Sequence, residues 1–196
     1  MKNMKKLTAL TLALVLTFAL AACGFASGKV ADAFFNIFSS GSYHMKAKIV
    51  GGGAETTTET FVKRGLTATV VEAQGQTMRM VMRDNKMHMI DDAQKTVMIM
   101  SAQMHAQAGT GNTAEVNTAR MRYTGSGTAN FHGRNLPYDE YSIDNGKTQF
   151  FVDGNRLAGI RNIAGRDVTD IVILVLSQNV PDSVFQIPAG YTQMSF

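Results

Sequence analysis

The stretch that decides the fold runs from residue 77 to residue 100 and reads TMRMVMRDNKMHMIDDAQKTVMIM. Apolar residues, most of them methionine, recur at every second position between two short polar breaks. A period of two is typical of β-strands with one buried face. The first break, Asp84-Asn85, fits a two-residue hairpin turn, and residues 92–95 fit a four-residue turn. The stretch therefore predicts three consecutive antiparallel strands.

The register of these two turns places the methionines together. The first turn aligns Met80 with Met89, and the second aligns Met89 with Met98. Because side chains alternate across a strand, seven of the chain's 13 methionines share one face of the predicted sheet. We call this set the methionine face, and it consists of Met78, Met80, Met82, Met87, Met89, Met98 and Met100.

Three interpretations of the methionine face remain open. Methionine packs well in irregular interiors, so the face can be part of a filled core. Alternatively, it lines a cavity for acyl chains or another apolar ligand, because flexible, polarizable side chains accommodate many chain conformations; cores that need one packing use Leu, Ile and Val instead. In the third interpretation, the thioethers bind Cu(I) with His88 or His105, and Met104-His105 is the best local candidate.

The rest of the chain extends the strand pattern. Further strands are predicted at residues 43–49, 56–63, 66–72, 120–131, 138–143, 148–152 and 156–163, and residues 171–176 predict a strand covered on both faces because every position is apolar. Residues 30–40 predict one short helix, and residues 102–119 a mobile loop or a frayed helix. The predicted fold class is mainly β with few helices (α+β), an antiparallel meander of about ten strands after an N-terminal helix.

The N-terminus has the pattern of a secretory leader. Three lysines precede an uncharged apolar run at residues 7–22, which is too short for a comfortable bilayer span. Leu20-Ala21-Ala22-Cys23 resembles the lipobox of bacterial lipoproteins, which implies that Cys23 becomes the acylated first residue. The alternative is an ordinary secretory cleavage site with an incidental thiol. We expect a signal peptide at 1–22, a lipidated tether at 23–29 and one domain at 30–196.

This organisation predicts a location at the extracytoplasmic face of a bacterial membrane. The membrane is the predicted partner, reached through a palmitate-type acyl anchor on Cys23. It is the cell membrane, or the outer membrane if the source has one, since Gly24 follows Cys23 instead of the Asp linked to inner-membrane retention.

Composition and motifs argue against several functions. Three of the 19 basic residues lie in the leader, which leaves 16 against 15 acidic residues, so we expect no nucleic-acid partner. The four histidines lack metal-ligand spacing, and Gly125-Ser126-Gly127 lacks the frame of a hydrolase nucleophile. Asp139 and Glu140 face opposite ways on a strand and are predicted to be solvated surface groups. We expect no enzyme, no cofactor and no metal site.

The C-terminal segment carries a family resemblance. An apolar strand at 171–174 is followed by VPDSVF at 180–185 and IPAGY at 187–191. With the N-terminal helix and the meander, this resembles the LolA/LolB-like superfamily, which includes lipoprotein carriers and lipid-binding lipoproteins. The resemblance implies a curved half-barrel, closed on its concave side by helices around an apolar cavity.

The function expected from these observations is non-catalytic binding. We expect a lipid-anchored envelope protein that binds a lipid or another apolar ligand in a methionine-lined cavity. One alternative is an envelope interaction or sensor module with a filled core, by analogy with RseB-like members of the same superfamily. The second alternative is a Cu(I)-binding lipoprotein. The sequence does not specify a protein partner.

Overall fold

The structure, a computed structural model, describes residues 30–73, 75–101, 121–143 and 146–195. The predicted signal peptide, the tether and the loop at 102–119 lie outside these residues. Within them, no helix is both long enough and apolar enough to cross a membrane.

One helix, twelve strands and a short 3₁₀ helix make up the described chain. The helix α1 spans Asp32–Ser39, two residues later at its start than predicted, and the 3₁₀ helix spans Asp182–Phe185. The strands are β1 Ser42–Gly51, β2 Ala54–Lys63, β3 Leu66–Ala73, β4 Gln76–Arg83, β5 Lys86–Asp91, β6 Thr96–Ser101, β7 Arg122–Phe131, β8 Arg134–Ile143, β9 Gly146–Asp153, β10 Arg156–Ala164, β11 Asp167–Ser177 and β12 Thr192–Ser195.

The strands form a single sheet in the order β12-β6-β5-β4-β3-β2-β1-β11-β10-β9-β8-β7. Two antiparallel meanders, β1 to β6 and β7 to β11, meet where β1 pairs with β11. The predicted fold class, a mainly β chain with an N-terminal helix and an open, curved half-barrel sheet, is confirmed. The expected number of about ten strands was too low, and the sheet is not wholly antiparallel, because β12 pairs with β6 in parallel.

Turn chemistry fixes the register of the first meander. Asp84 and Asn85 have φ angles of 52° and 56°, the left-handed conformation that a type I′ hairpin turn requires at both central positions. In the next turn, the Asp91 carboxylate accepts hydrogen bonds from the backbone N–H groups of Ala93 (3.0 Å) and Gln94 (2.9 Å). Both turns lie where the sequence predicts them.

Helix α1 covers one face of the sheet at its centre. Its aromatic side chains pack on strands of both meanders: Phe35 meets Phe150 edge to face at 5.0 Å, and Phe38 meets Tyr43 at 5.3 Å. Edge-to-face packing is the geometry that aromatic pairs prefer. This cluster is the largest core of the described chain and joins the two meanders beneath the helix.

The C-terminal segment covers the opposite face of the first meander. We call residues 180–191 the C-terminal strap. Val180 and Phe185 are buried in a second core with Val81, Ile90 and Val97, the residues that alternate with the methionines along β4 to β6. The segment that carries the family resemblance therefore closes the outer face of the β2–β6 half of the sheet.

Polar contacts fix the strap at both ends. Lys63 Nζ donates to the Val180 carbonyl (3.0 Å) and to Asp182 Oδ1 (2.8 Å), and this ion pair holds the pKa of Asp182 below its usual value. At the other end, the Tyr191 hydroxyl donates to Asp92 Oδ1 at 3.0 Å, which raises the pKa of that phenol.

The prediction that residues 171–176 are covered on both faces was wrong. Leu174 and Val175 are 49% and 38% exposed. Lys46 pairs with Val175 and Ala47 with Ile173, so Leu174 is an extra residue in a β-bulge. A bulge turns two consecutive side chains toward one side. Neither aliphatic side chain belongs to the three core clusters of the described chain.

Removing the Lys63 ammonium should loosen the strap. In Lys63→Met we expect amide hydrogen exchange in residues 180–186 to accelerate by up to about fivefold at neutral pH, the range of a partly exposed ion pair. Lys48→Met is the matched control, because Lys48 pairs with Glu55 at 2.8 Å within the first hairpin. If amide exchange in residues 180–186 is equally fast in Lys63→Met and Lys48→Met, then Lys63 does not hold the strap in place.

The same contact should respond to acid. A carboxylate whose pKa is lowered on folding stabilises the fold above its unfolded pKa, and that stabilisation is lost as the pH falls through the folded value. The ratio of exchange rates between Lys63→Met and the parent should therefore shrink below about pH 4. A ratio that stays constant between pH 7 and pH 2.5 would assign the effect to the Val180 carbonyl alone.

Candidate functional site

The predicted register of the methionine face is confirmed. Met80 pairs with Met89 and Met82 with Met87 across the first turn. Met89 then pairs with Met98, and Met87 with Met100, across the second turn. All seven methionines therefore lie on one face of β4, β5 and β6.

This face differs from the opposite one in its packing. Met78 is 44% exposed, Met87 is buried, and the other five methionines are partly exposed. Within the described chain, none of the seven belongs to the three core clusters. The buried residues of β4 to β6 that do belong are Val81, Ile90 and Val97, beneath the strap. The methionine face is apolar surface beside the core, not the packed centre of it.

An eighth methionine joins the face from the end of the chain. Strand β12 pairs with β6 in parallel, and this pairing sets Met194 beside Met98. Met194 is 40% exposed, close to the value of Met78 at the inner edge of the methionine strands. The sequence does not predict this position, because the four residues of β12 are all exposed and only their parallel pairing with β6 sets their register.

The face continues without interruption toward the helix. A row of directly paired residues crosses the sheet from its edge to the helix-covered core. In order of strands the row is Met194, Met98, Met89, Met80, Thr69, Thr60, Met45 and Leu176. The methionine strands and the strands beneath α1 therefore share one surface, with threonines between them.

Those threonines are buried without partners. Thr58, Thr60 and Thr69 are only 2%, 0% and 2% exposed, and no hydrogen-bond partner reaches their Oγ1 atoms. Most buried side-chain hydroxyls in proteins are hydrogen-bonded, since an unsatisfied one costs about 1–3 kcal/mol. We call these three residues the threonine cluster. Sequence reasoning assigned their strands but gave them no role.

His88 on β5 cannot be a ligand in the proposed Cu(I) site. His88 lies on the opposite face from the methionines, where its Nδ1 is 3.3 Å from the Val81 carbonyl oxygen, so it cannot join their thioethers. Met104 and His105 lie outside the described residues. In the part that the structure describes, no three His, Cys, Asp or Glu side chains come together to hold a metal ion.

Asp139 is not the solvated surface group that the sequence suggested. Its side chain is 0% exposed and accepts hydrogen bonds from the backbone N–H groups of Val30 (2.8 Å) and Ala31 (3.0 Å), and from the Ser126 hydroxyl. The N–H groups at the start of a helix have no partner within it and attract a carboxylate. Asp139 therefore ties the first described residues to β8.

Glu140 faces the other way, as predicted, but its side chain is only 16% exposed, so it is not the solvated surface group that the sequence suggested. Its carboxylate accepts hydrogen bonds from Lys147 (2.9 Å), Gln149 (2.9 Å) and Thr124 (3.1 Å). The hydrogen bond from Lys147 is the largest cause that lowers the pKa of Glu140. The two carboxylates occupy opposite faces of one strand and cannot act together as an acid–base pair.

A groove opens at the other side of α1. It has a volume of about 340 Å³ and is lined by Phe34 and Ile37 of the helix, by residues 155–157, and by residues 173–176 of β11. Strand β10 pairs with β11 only over residues 159–164, so the two strands separate here. This second apolar feature is distinct from the methionine face.

Comparisons with known proteins identify the fold. No protein-family model matches the chain, and no curated protein matches its sequence. An uncharacterised conserved protein from Thermus thermophilus is similar in structure with a TM-score of 0.51 and 8% identity, over 95% of this chain and 99% of that one.

Two other solved structures are more distant. MucB matches 86% of this chain and 66% of its own at 12% identity and a TM-score of 0.47. LprF from Mycobacterium bovis matches 76% of this chain and 91% of its own at 10% identity and a TM-score of 0.46. Identities this low bear on the fold alone.

Removing the buried carboxylate of Asp139 should destabilise the domain. Asp139→Ala leaves at least the Val30 and Ala31 N–H groups without their acceptor, so we expect the free energy of unfolding to fall by about 2–4 kcal/mol. Glu140→Ala is the comparison variant on the opposite face of β8 and should cost less, because its ion-pair partner Lys147 is 56% exposed and is hydrated once the carboxylate is gone. Urea unfolding of the full chain followed by circular dichroism measures both, and equal losses would contradict the role of Asp139.

Proposed function

We propose that this protein is an extracytoplasmic lipoprotein, anchored through an acylated Cys23, that binds a lipid or a similar apolar molecule against the methionine face without catalysing a reaction. The binding surface consists of the seven predicted methionines together with Met194. The ligand's apolar part would lie along the paired row that ends beneath α1.

The observation that carries this proposal is the unequal packing of the two faces of β4 to β6. The chain uses its own strap to bury the Val and Ile side chains of one face, yet leaves the methionines beside the core partly exposed, with the exception of Met87. Apolar contact contributes about 25 cal/mol per Å², so an acyl chain that buries about 200 Å² there would gain about 5 kcal/mol. Unbranched thioethers adapt to such a chain at little cost.

A protein partner is the second candidate. The bulge in β11 exposes Leu174 and Val175 side by side, where they line the groove beside α1. Adjacent exposed aliphatic side chains are typical of contact surfaces. In this alternative the methionine face would have no binding role, and the groove surface around Leu174 and Val175 would bind the partner.

The anchor has a direct test. In a bacterial host given radiolabelled palmitate, we expect the full chain to incorporate label and to remain in the membrane fraction. Cys23→Ser should abolish both, because the lipid anchor is attached through that sulfur. Label retained in Cys23→Ser would contradict lipidation at this residue, and an unlabelled parent chain would favour the ordinary secretory cleavage site.

The methionine face can be tested by photolabelling. The purified full chain in detergent micelles is irradiated with a phosphatidylcholine that carries a diazirine on its acyl chain, and labelled peptides are identified by mass spectrometry. We expect labels within residues 76–101. Met80→Gln combined with Met89→Gln should reduce labelling at least about tenfold, because an acyl chain would then cover two polar amides and remove their hydration.

Val168→Gln supplies the matched control, since Val168 is 46% exposed on the outer face of β11. It should leave labelling unchanged. Labels confined to the groove beside α1 would move the site there. Absence of labelling above a non-binding protein would contradict lipid binding and leave the protein-partner function.

A further inference from the structure

We infer that one end of the half-barrel docks on the anionic lipid headgroups of the membrane that holds the anchor. The docking surface consists of four hairpin turns, residues 63–66, 83–86, 131–134 and 153–156, which we call the basic rim. This inference rests on the anchor in the proposed function. It adds the end of the domain that meets the bilayer and the lipid charge that holds it there.

Topology brings the four turns to the same end of the sheet. Every second turn of an antiparallel meander lies at the same end, so the β2–β3 and β4–β5 turns share one end, as do the β7–β8 and β9–β10 turns. The two pairs of turns coincide because β1 starts beside the ends of both β2 and β11, where Ser42 pairs with Lys63 and His44 with Ser177. The basic rim is therefore one arc at the edge of the half-barrel.

The two ends of the sheet differ in charge. The turns of the basic rim carry six basic and two acidic side chains: Lys63, Arg64, Arg83, Lys86, Arg134 and Arg156 against Asp84 and Asp153. At the opposite end, the described turn residues carry Lys95 and Arg166 against Asp91, Asp92 and Asp167. All the cations of the basic rim except Lys63 are exposed. The domain therefore presents a positive end and a weakly negative end along its strands.

Three cations of the basic rim have no counter-charge. The acidic side chains at this end are each matched by one basic partner: Arg83 pairs with Asp84 at 3.2 Å, Lys63 with Asp182 of the strap at 2.8 Å, and Arg134 with Asp153. Arg64, Lys86 and Arg156 form no ion pair with any residue that the structure describes. These exposed charges are available to anions outside the protein.

The spacing of these three cations fits an extended surface and not one small anion. Lys86 begins β5 and Arg156 begins β10, six places apart in the sheet. Neighbouring strands are about 4.8 Å apart, so the two positions are separated by about 29 Å along the sheet. A single phosphate or carboxylate cannot contact both side chains, whereas a layer of headgroups contacts each of them separately.

The tether keeps the bilayer within reach of the basic rim. Asp139 fixes the backbone of Val30, and seven residues separate Val30 from Cys23, a span of at most about 25 Å. Asp139 lies five residues from Arg134 along β8, or about 17 Å from the rim. The opposite end of β8 is about as close, so charge and not distance selects the end that docks. This proximity favours the bilayer over an acidic protein as the partner.

Apolar surface opens at the same end of the domain. The groove beside α1 reaches the basic rim at Asn155 and Arg156. Leu174 and Val175, which are 49% and 38% exposed in this groove, lie only three and two residues before the end of β11 at Ser177. Peripheral membrane surfaces combine basic side chains with apolar side chains that enter the headgroup region. The basic rim therefore offers both kinds of contact.

The test measures which end of the anchored domain lies near the bilayer. The full chain, lipidated in a bacterial host, is reconstituted into vesicles of phosphatidylcholine, alone or mixed with phosphatidylglycerol. Cys23 is the only native cysteine, so a fluorophore on Asn155→Cys reports on the basic rim, and one on Ala93→Cys reports on the opposite end. Quenching by a lipid with a spin-labelled headgroup measures the proximity of each fluorophore to the bilayer.

We expect the anionic lipid to bring the basic rim to the bilayer. With phosphatidylglycerol, quenching at Asn155→Cys should exceed quenching at Ala93→Cys by at least about threefold. The difference should disappear in phosphatidylcholine alone, and also in about 1 M NaCl, where the Debye length falls to about 3 Å.

Removing two unpaired cations should release the domain. Arg64→Gln combined with Lys86→Gln should lower the ratio of docked to undocked domain by up to about 25-fold, since each basic side chain at an anionic surface contributes up to about fivefold. Lys95→Gln combined with Arg166→Gln is the matched control, because it removes the same charge from exposed positions at the opposite end. The control should leave quenching at Asn155→Cys unchanged.

The outcomes separate the docking surface from the anchor. Equal quenching at the two ends, in a chain that floats with the phosphatidylglycerol vesicles, overturns the docking surface, leaves the anchor standing and assigns the basic rim to an acidic protein partner. Equal effects of the two charge variants also overturn it, because net charge alone would then explain the binding. A chain that floats only with phosphatidylglycerol and is released by salt supports the docking surface and overturns the anchor. A chain that floats with neither lipid overturns both.

Discussion

The ladder between β1 and β11 is the constraint on which the rest of the molecule depends. It joins two meanders that are each locally connected, and it brings the start and the end of the domain together. Helix α1 packs across this junction, with aromatic contacts to β1 on one side and to β9 on the other. Without that ladder, α1 would have no continuous sheet to pack on. The methionine strands would also be separated from the second meander.

The two faces of the first meander are packed differently. Among the described residues, the C-terminal strap covers the outer face of β4 to β6, while most methionines on the other face stay partly exposed. The strap is built from Val, Phe and Ile side chains and closes over branched aliphatic partners, which define a single packing. The other face carries thioethers and threonines in unbroken rows. On β4 to β6, branched side chains therefore occupy the face with one fixed packing partner, and flexible methionines occupy the face without one.

Local chemistry explains why much of this was predictable from the sequence. The alternation along β4 and the turn at Asp84-Asn85 act within a few residues, so strand, turn and register follow directly. Features that depend on distant partners were missed or misjudged. The burial of Asp139 requires the start of α1, the exposure of Leu174 requires a bulge opposite β1, and the place of Met194 requires a parallel pairing. The threonine cluster belongs to this second kind, because a Thr-rich strand predicts secondary structure and does not reveal which hydroxyls remain unsatisfied.

The sheet order also dictates when the protein can become complete during its synthesis. β1 pairs with β11, and the Val81, Ile90 and Val97 side chains are covered by Val180 and Phe185, so each contact joins residues that are far apart in the chain. Until these contacts form, the early strands expose apolar surface on both faces. Unpaired strand edges readily associate in such a state. The first half of the sheet therefore cannot complete its packing before the second half is present.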